Sequence, residues 1–490
     1  MTQITAPKPV QAWQDVVTKK RQLRAEAISA SIGSLTGGSK EFEITSISEA
    51  SKLASKISLG EVTSEDVIKA YIRNLTEILF DDALKRATGL DAYFTKYGKT
   101  VGPLHGVPVT LKDQFNVKWY DTTLGYVGRS FKPASDDAVV VKMLQSLGAV
   151  VFAKSNLPQS IMWCETENPL WGLTTNPRSK DYTPGGSTGG EAALLACDAT
   201  MLGWGTDIGG SIRIPSHMMG TYGLKPSLIN AKPWELDARC APIPWREDLY
   251  KETCSRPMTI GVLYDDDVVR PHPPLTRVLR SAVGRLQAAG HEVLEWNADL
   301  HEDCIRTMDL YYTVDGGEDI RKDVVAGGEP FIPHVEKLLN RGKPISVYEY
   351  WQLNRRKWEL QQAYLEKWQS IRSPKTGRMI DILLLPPMPH TAVPHGGCRW
   401  VGYTKVWNFL DYPALVIPGG QVNQEDVNQP WAEEVRGVED EWNKKLWEDN
   451  KKRMASLSLP VGLQIVGRKL EEEMVLAAGK IIDDILKDQN

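Results

Sequence analysis

The stretch from Gly185 to Pro215, GGSTGGEAALLACDATMLGWGTDIGGSIRIP, holds two glycine clusters, each presenting one serine, with a small-residue helix pattern between them. In the first cluster, Gly185-Gly186-Ser187-Thr188-Gly189-Gly190, Thr188 and Glu191 have the S/T-x-x-E spacing of a capping box. In that motif each side chain satisfies a backbone N–H that the first helical turn leaves unpaired. A helix is therefore expected to begin just after Ser187. Ala192, Ala193, Leu194, Leu195 and Ala196 are strong helix formers, and their small side chains let a neighbouring element come close, so this helix should be buried. In the second cluster, Gly205-Thr206-Asp207-Ile208-Gly209-Gly210-Ser211, the paired glycines permit main-chain angles closed to other residues and let backbone N–H groups converge on one point. Such a cradle holds an oxyanion or a phosphate.

Upstream, Gly106-Val107-Pro108-Val109-Thr110-Leu111-Lys112-Asp113 reads as a short β-rich run closing on a lysine. Taken singly, each glycine cluster reads as a tight turn and the lysine as a solvated charge. Their combination resembles the amidase signature family, whose members use a lysine, a serine held by a cis peptide and a second, nucleophilic serine. Lys112, Ser187 and Ser211 are the three matching positions, 75 and 24 residues apart. The flanking text agrees: Pro103-Leu104-His105-Gly106-Val107-Pro108, Asn156-Leu157-Pro158-Gln159-Ser160, Glu165-Thr166-Glu167-Asn168-Pro169 and Thr206 to Pro215. The similarity runs from about Trp13 to Pro460-Val461-Gly462-Leu463-Gln464-Ile465-Val466-Gly467-Arg468 and is that of the fungal acetamidase and general amidase branch.

The resemblance implies an α/β fold: one amidase signature domain over 41–490, with a twisted mixed β-sheet covered by helices on both faces, preceded by an N-terminal helical arm over 1–40. It implies that Ser211 is the nucleophile, Lys112 the base and Ser187 the relay between them. The oxyanion would be held by the backbone of Ile208, Gly209, Gly210 and Ser211, and the region around Ile161 would line the substrate cavity, although Ile161-Met162-Trp163-Cys164 by itself reads as core. Serine is inert at neutral pH without a base, and no histidine lies between Gly185 and Pro215. Lysine serves only if burial leaves it neutral. The implied reaction is hydrolysis of small aliphatic or aryl-acetic amides, acetamide-like compounds, to acid and ammonia through an acyl-enzyme.

Composition narrows the alternatives. Over 490 residues, 58 Lys and Arg against 62 Asp and Glu leave a net charge of −4, without the basic excess of a general nucleic-acid binder. The six cysteines include no C-x-x-C pair, which argues against a zinc site or a disulfide framework and fits a reducing compartment. No H-E-x-x-H set appears, so no metal and no cofactor are expected. With no signal-like run in the first twenty residues and no long apolar span, a cytoplasmic protein without membrane contact is expected, its partner a small-molecule amide. A homodimer is left open.

Along the chain, Val10–Ile28, Ser46–Ile57, Thr63–Leu79 and Asp136–Leu147 read as helices, the third capped by Thr63 with Asp66. Ala149–Lys154, His291–Leu294 and Ile380–Leu385 read as strands, giving the alternation of an α/β architecture. Gln421–Lys452 is charged and reads as a solvated excursion, partly helical. Two positions depart from the family pattern. Thr188 stands where serine is common, and the chain is shortened after Ser227, which is expected to open the pocket. Asp207 and Arg213 read as a buried ion pair or loop anchor, and His105 as structural.

Three rival readings are open. Gly185-Gly186-Ser187-Thr188-Gly189 matches the G-x-S-x-G of an α/β-hydrolase esterase using Ser187, which would need a strand before it and His390 or His395 beside it. A catalytically silent scaffold or binding protein would keep the fold without the reaction. A nucleotide site lacks the G-K-[ST] ending.

Overall fold

The computed structural model describes residues 12–32, 44, 47, 49–71, 78–226, 233–238, 240–431 and 434–488. Its strands are β1 (Pro108–Lys112), β2 (Val150–Ser155), β3 (Glu167–Asn168), β4 (Gly172–Leu173), β5 (Leu202–Trp204), β6 (Gly223–Lys225), β7 (Thr259–Val262), β8 (Glu292–Glu295), β9 (Ile382–Leu385), β10 (Ala414–Gln421) and β11 (Pro460–Val466). A six-stranded mixed sheet has the order β6-β10-β11-β9-β7-β8, antiparallel from β6 to β9 and parallel from β9 to β8. Strands β2-β1-β5 form a separate parallel ladder, and β3 and β4 a short hairpin.

Side chains alternate across a strand, so one apolar run feeds two cores. In β9, Ile382 and Leu384 enter one core with Leu275, Val278 and Leu279 of the helix Pro273–Ala288 and with Met474 and Val475 of the helix Glu472–Lys487. Leu383 and Leu385 enter the other, with Tyr403, Val406 and Trp407 of the helix Gly402–Leu410 and Tyr364 and Trp368 of the helix Val347–Ser370. Helices thus cover both faces of the mixed sheet, as the α/β reading expects.

The same alternation in β1 positions the site. Val109 and Leu111 face an apolar cluster with Val141 and Leu144 of the helix Val139–Ser146. Thr110 and Lys112 therefore point to the opposite side, where the helix Gly189–Ala196 packs. Every residue of β1 is buried. A lysine ending this strand cannot be the solvated charge that its residue type suggests.

The predicted elements appear with shifted ends. The N-terminal helix spans Trp13–Ile32, and Trp13, Val16 and Val17 pack against Val127, Leu170 and Trp171. The helix expected over Thr63–Leu79 is observed as Ser64–Tyr71; residues 72–77 lie outside the described residues, and Leu79 already caps the next helix, Phe80–Tyr97. The Thr63–Asp66 cap is present in both directions, with Asp66 N–H donating to Thr63 Oγ1 at 3.0 Å and Thr63 N–H to Asp66 Oδ2 at 3.4 Å. Of the shortened stretch after Ser227, residues 227–232 and 239 lie outside the described residues. Among the described residues, no helix is long and apolar enough to cross a membrane.

The charged segment after Gln421 differs from its sequence reading. It is partly helical, as expected, but its helix Val438–Ser456 is not wholly solvated: Asp440, Asn443, Leu446 and Trp447 are buried. Its charges crowd one side, while Leu446 and Trp447 join the main core beside Val393 and Cys398. Asp440 accepts the N–H groups of Arg270 and Arg436, so part of the acidic run anchors neighbouring loops. Trp447→Ala is expected to destabilise the protein by about 3–5 kcal/mol, the range for truncating a buried aromatic. The midpoint of chemical unfolding checks this; a loss under about 0.5 kcal/mol would restore the solvated reading.

Candidate active site

Lys112 Nζ lies 2.6 Å from Ser187 Oγ and 3.0 Å from Thr206 Oγ1, and Thr206 Oγ1 in turn donates to Gln114 Oε1 at 2.6 Å. Lys112 and Ser187 are both buried. Desolvation is the dominant influence on the amine and pulls its pKa down to about 7, against the opposing pull of the Asp207 and Glu191 carboxyls. A substantial neutral fraction is therefore present at neutral pH.

Glu191 carries a role the sequence reading did not give it. The helix Gly189–Ala196 begins as expected, but the Thr188 side chain makes no cap bond, so the capping box is absent. The helix start is buried against β1, and the Glu191 carboxylate accepts from Thr110 Oγ1 instead, two residues from Lys112. Burial raises its pKa to about 7. Thr188 Oγ1 donates to Thr206 O at 3.3 Å. The Thr188 methyl occupies space that Gly205 leaves free, since a Cβ at 205 would sit 2.4 Å from Thr188 Cγ2.

The two glycine clusters meet. Thr188 N–H donates to Ser211 O at 3.0 Å, and the peptide bond between Gly186 and Ser187 is cis. Any side chain at Gly186 would strike the Glu165 backbone, 2.5 Å from the added Cβ. The turn thus requires glycine for close approach.

Behind the second cluster, Asp207 and Arg213 form a buried pair, with Oδ1 2.8 Å from Nη2 and Oδ2 3.0 Å from Nε. Arg213 also donates to Thr404 O, Gln464 Oε1 and Asn408 Oδ1, and Asn408 Nδ2 donates back to Asp207. Burial alone would raise the Asp207 pKa, but the Arg213 charge and the hydrogen bonds from Arg213 and Asn408 outweigh it and hold the group well below the usual carboxylate range. This is the ion pair and loop anchor expected from sequence. Asn408, Thr404 and Gln464 were not singled out because they sit far along the chain from the glycine loop they hold, Gln464 inside the Pro460–Arg468 stretch that resembles the family.

The glycine loop is oriented from outside. Tyr312 Oη donates to Ile208 O at 3.1 Å and Thr404 Oγ1 to Gly209 O at 2.7 Å. Gly210 N–H donates to Asp207 Oδ1 at 2.9 Å, which separates it from the others. Ile208, Gly209 and Ser211 line a cleft of about 630 Å³, including its open mouth, together with Ile161, Trp163 and Gly186. Ile161-Met162-Trp163-Cys164, core by its residue types, is cleft wall as well as core: Cys164 belongs to the main core and Trp163 packs against it.

Neither histidine required by the esterase reading reaches Ser187. His390 Nδ1 is bonded to Thr391 O and His395 Nε2 to Lys180 O, while the residues before Ser187 form no strand. His105 Nδ1 accepts from Val101 N–H, a structural bond as expected.

The sequence model of the Amidase family matches residues 65–231 and 229–476. This chain belongs to the amidase signature family. An Amidase 1 of Gibberella moniliformis is 46% identical over 97% of the chain and 99% of its own length. An acetamidase of Emericella nidulans is 34% identical, covering 91% and 90%. Among solved structures, a fatty acid amide hydrolase superposes with a TM-score of 0.83 at 29% identity, over 99% of this chain and 91% of that one. This amidase is thus a hydrolase of amide C–N bonds.

Because Asp207 ties Arg213, the glycine loop and Asn408 together, Asp207→Ala is expected to destabilise this amidase by about 3–5 kcal/mol, the consequence of leaving a buried charge unpaired. Denaturant unfolding of the purified variant measures it. A loss below about 1 kcal/mol, the range of an exposed pair, would contradict the anchoring role.

Proposed function

We propose that this amidase hydrolyses small aliphatic or aryl-acetic primary amides to the carboxylic acid and ammonia through Ser211, Ser187 and Lys112. The observation that carries the reading is the buried amine 2.6 Å from Ser187 Oγ, its pKa brought to about 7. Support also comes from Ser211 on the cleft wall, with its carbonyl bonded to the residue after Ser187.

Neutral Lys112 takes the Ser187 proton as Ser187 takes that of Ser211, and Ser211 Oγ attacks the amide carbon. A hydroxyl suits the middle position because it donates and accepts at once. The carbonyl oxygen becomes an oxyanion held by backbone N–H groups of Ile208, Gly209 and Ser211. Of the four residues the family resemblance assigns, Gly210 already donates its N–H to Asp207 Oδ1, which favours the other three as donors. The relay then runs backwards, protonating the nitrogen as the C–N bond breaks and ammonia leaves. Water attacks the acyl-enzyme, surrendering its proton along the same path, and the acid departs with Ser211 restored.

Ammonia release from an amide panel tests the roles. Ser211→Ala and Lys112→Ala are each expected to lose activity by about 10⁴-fold or more, as when one member of a concerted set is removed. Full rate in both variants would overturn the assignment. A fluorophosphonate should label Ser211 in the folded protein, whereas a silent scaffold would stay unlabelled.

The pH profile gives a separate check. Protonated Lys112 accepts no proton, so kcat/KM should rise with pH through an acidic limb near 7 and fall about tenfold per unit below it. The Glu191 carboxyl, raised by burial to about 7, acts on the Lys112 amine through its charge, so its own titration can shape the same limb. Activity undiminished at pH 5 would rule out the amine as base.

A further inference from the structure

The cleft beyond Ser211 divides into two chemistries. Ile161, Met162, Trp163, Ile214 and Val401 supply an apolar wall. Asp309, Arg341, Arg399 and Lys405 supply charge. Lys405 is buried and donates to Asp309, which leaves that pair neutral. Of three cations and one carboxylate, two cations remain, in a chain whose net charge is −4.

Those two are arginines at the exposed mouth. The Arg399 guanidinium centre lies 3.4 Å from the centroid of the Trp442 ring. Stacking holds the planar group in place through its face and leaves its in-plane N–H donors available. Its charge reaches the cleft wall: His334 stacks on Trp163 with centroids 4.6 Å apart and planes at 4°. Burial, then Lys337 and Arg399, lower the His334 pKa, so that ring adds no charge at neutral pH. The Arg341 backbone N–H is bonded to Leu338 O, which anchors the residue beside the wall, and among the described residues no carboxylate pairs with its guanidinium or with that of Arg399.

We propose that the preferred substrates are monoamides of dicarboxylic acids, with the amide at Ser211, the methylene chain along the apolar wall and the terminal carboxylate between Arg341 and Arg399. The proposal rests on the amide-hydrolase reading above. Planar guanidinium donors match a carboxylate in a two-bond geometry that a neutral amide chain end cannot use. A neutral aliphatic amide of equal length fills the wall and leaves the arginines hydrated.

The experiment compares kcat/KM for chain-matched pairs, such as hexanamide against the monoamide of adipic acid, across several chain lengths. The wild-type protein, Arg341→Gln, Arg399→Gln and the double variant are all measured. At one chain length the wild type should favour the anionic substrate by about tenfold, between the strength of an exposed pair and a bidentate one. That ratio should fall towards one in the double variant and in 0.5 M salt. Equal rates at every length, or a ratio the double variant does not move, would overturn the proposal while the amide-hydrolase reading stood. If no amide is turned over at all, that reading fails, and calorimetry with the product dicarboxylates decides the cation pair. Binding weakened in the double variant supports it, and binding absent or unchanged overturns it.

Discussion

A primary amine held away from water at the end of a buried strand is the constraint around which this molecule is arranged. An isolated lysine in that position would be strongly unfavourable as a cation, and the protein answers with neutralisation rather than a direct ion pair. Lys112 contacts two hydroxyls, Ser187 and Thr206, while the carboxyls of Asp207 and Glu191 act on it from further away. The result is an amine whose pKa lies near neutrality. That condition makes a serine relay chemically available without a histidine.

The surrounding polar network is needed because the site is built from glycines. A loop of Gly209 and Gly210 has no side chains to pack, so its shape is imposed from outside. Asp207 binds Gly210 N–H, Thr404 and Tyr312 hold the carbonyls of Gly209 and Ile208, and Arg213 carries the restraint to Asn408 and Gln464. Oriented donors of this kind stabilise developing charge without reorganising at the moment of reaction. The network joins the helix Gly402–Leu410 and strand β11 to the glycine loop, so the distal half of the chain serves the chemistry of the proximal half.

Where residue-level reading and structure part, the cause is tertiary competition. The S/T-x-x-E spacing from Thr188 to Glu191 is a valid local signal, yet burial against β1 gave Glu191 a better partner in Thr110. The acidic text after Gly437 looks solvated because charges dominate its count, whereas six of its residues, Trp447 among them, form a buried face. Ile161-Met162-Trp163-Cys164 reads as core by composition, and the same apolar character suits a cleft wall. The Thr63–Asp66 cap survived because each side chain lies within reach of the other residue's backbone N–H at the first turn.

Sequence by itself determined the alternation of helices and strands and the family, and it singled out Lys112, Ser187 and Ser211 as candidates, because these are local patterns of period, glycine placement and spacing. Tertiary structure alone decided that the lysine is buried beside a hydroxyl, that Gly210 donates its N–H to Asp207, and that two arginines without a carboxylate partner among the described residues line the same cleft as an apolar wall. Those outcomes depend on groups that the fold brings together, from Lys112 and Ser187, 75 residues apart, to Arg213 and Gln464, 251 apart, competing for the same hydrogen bonds and the same water.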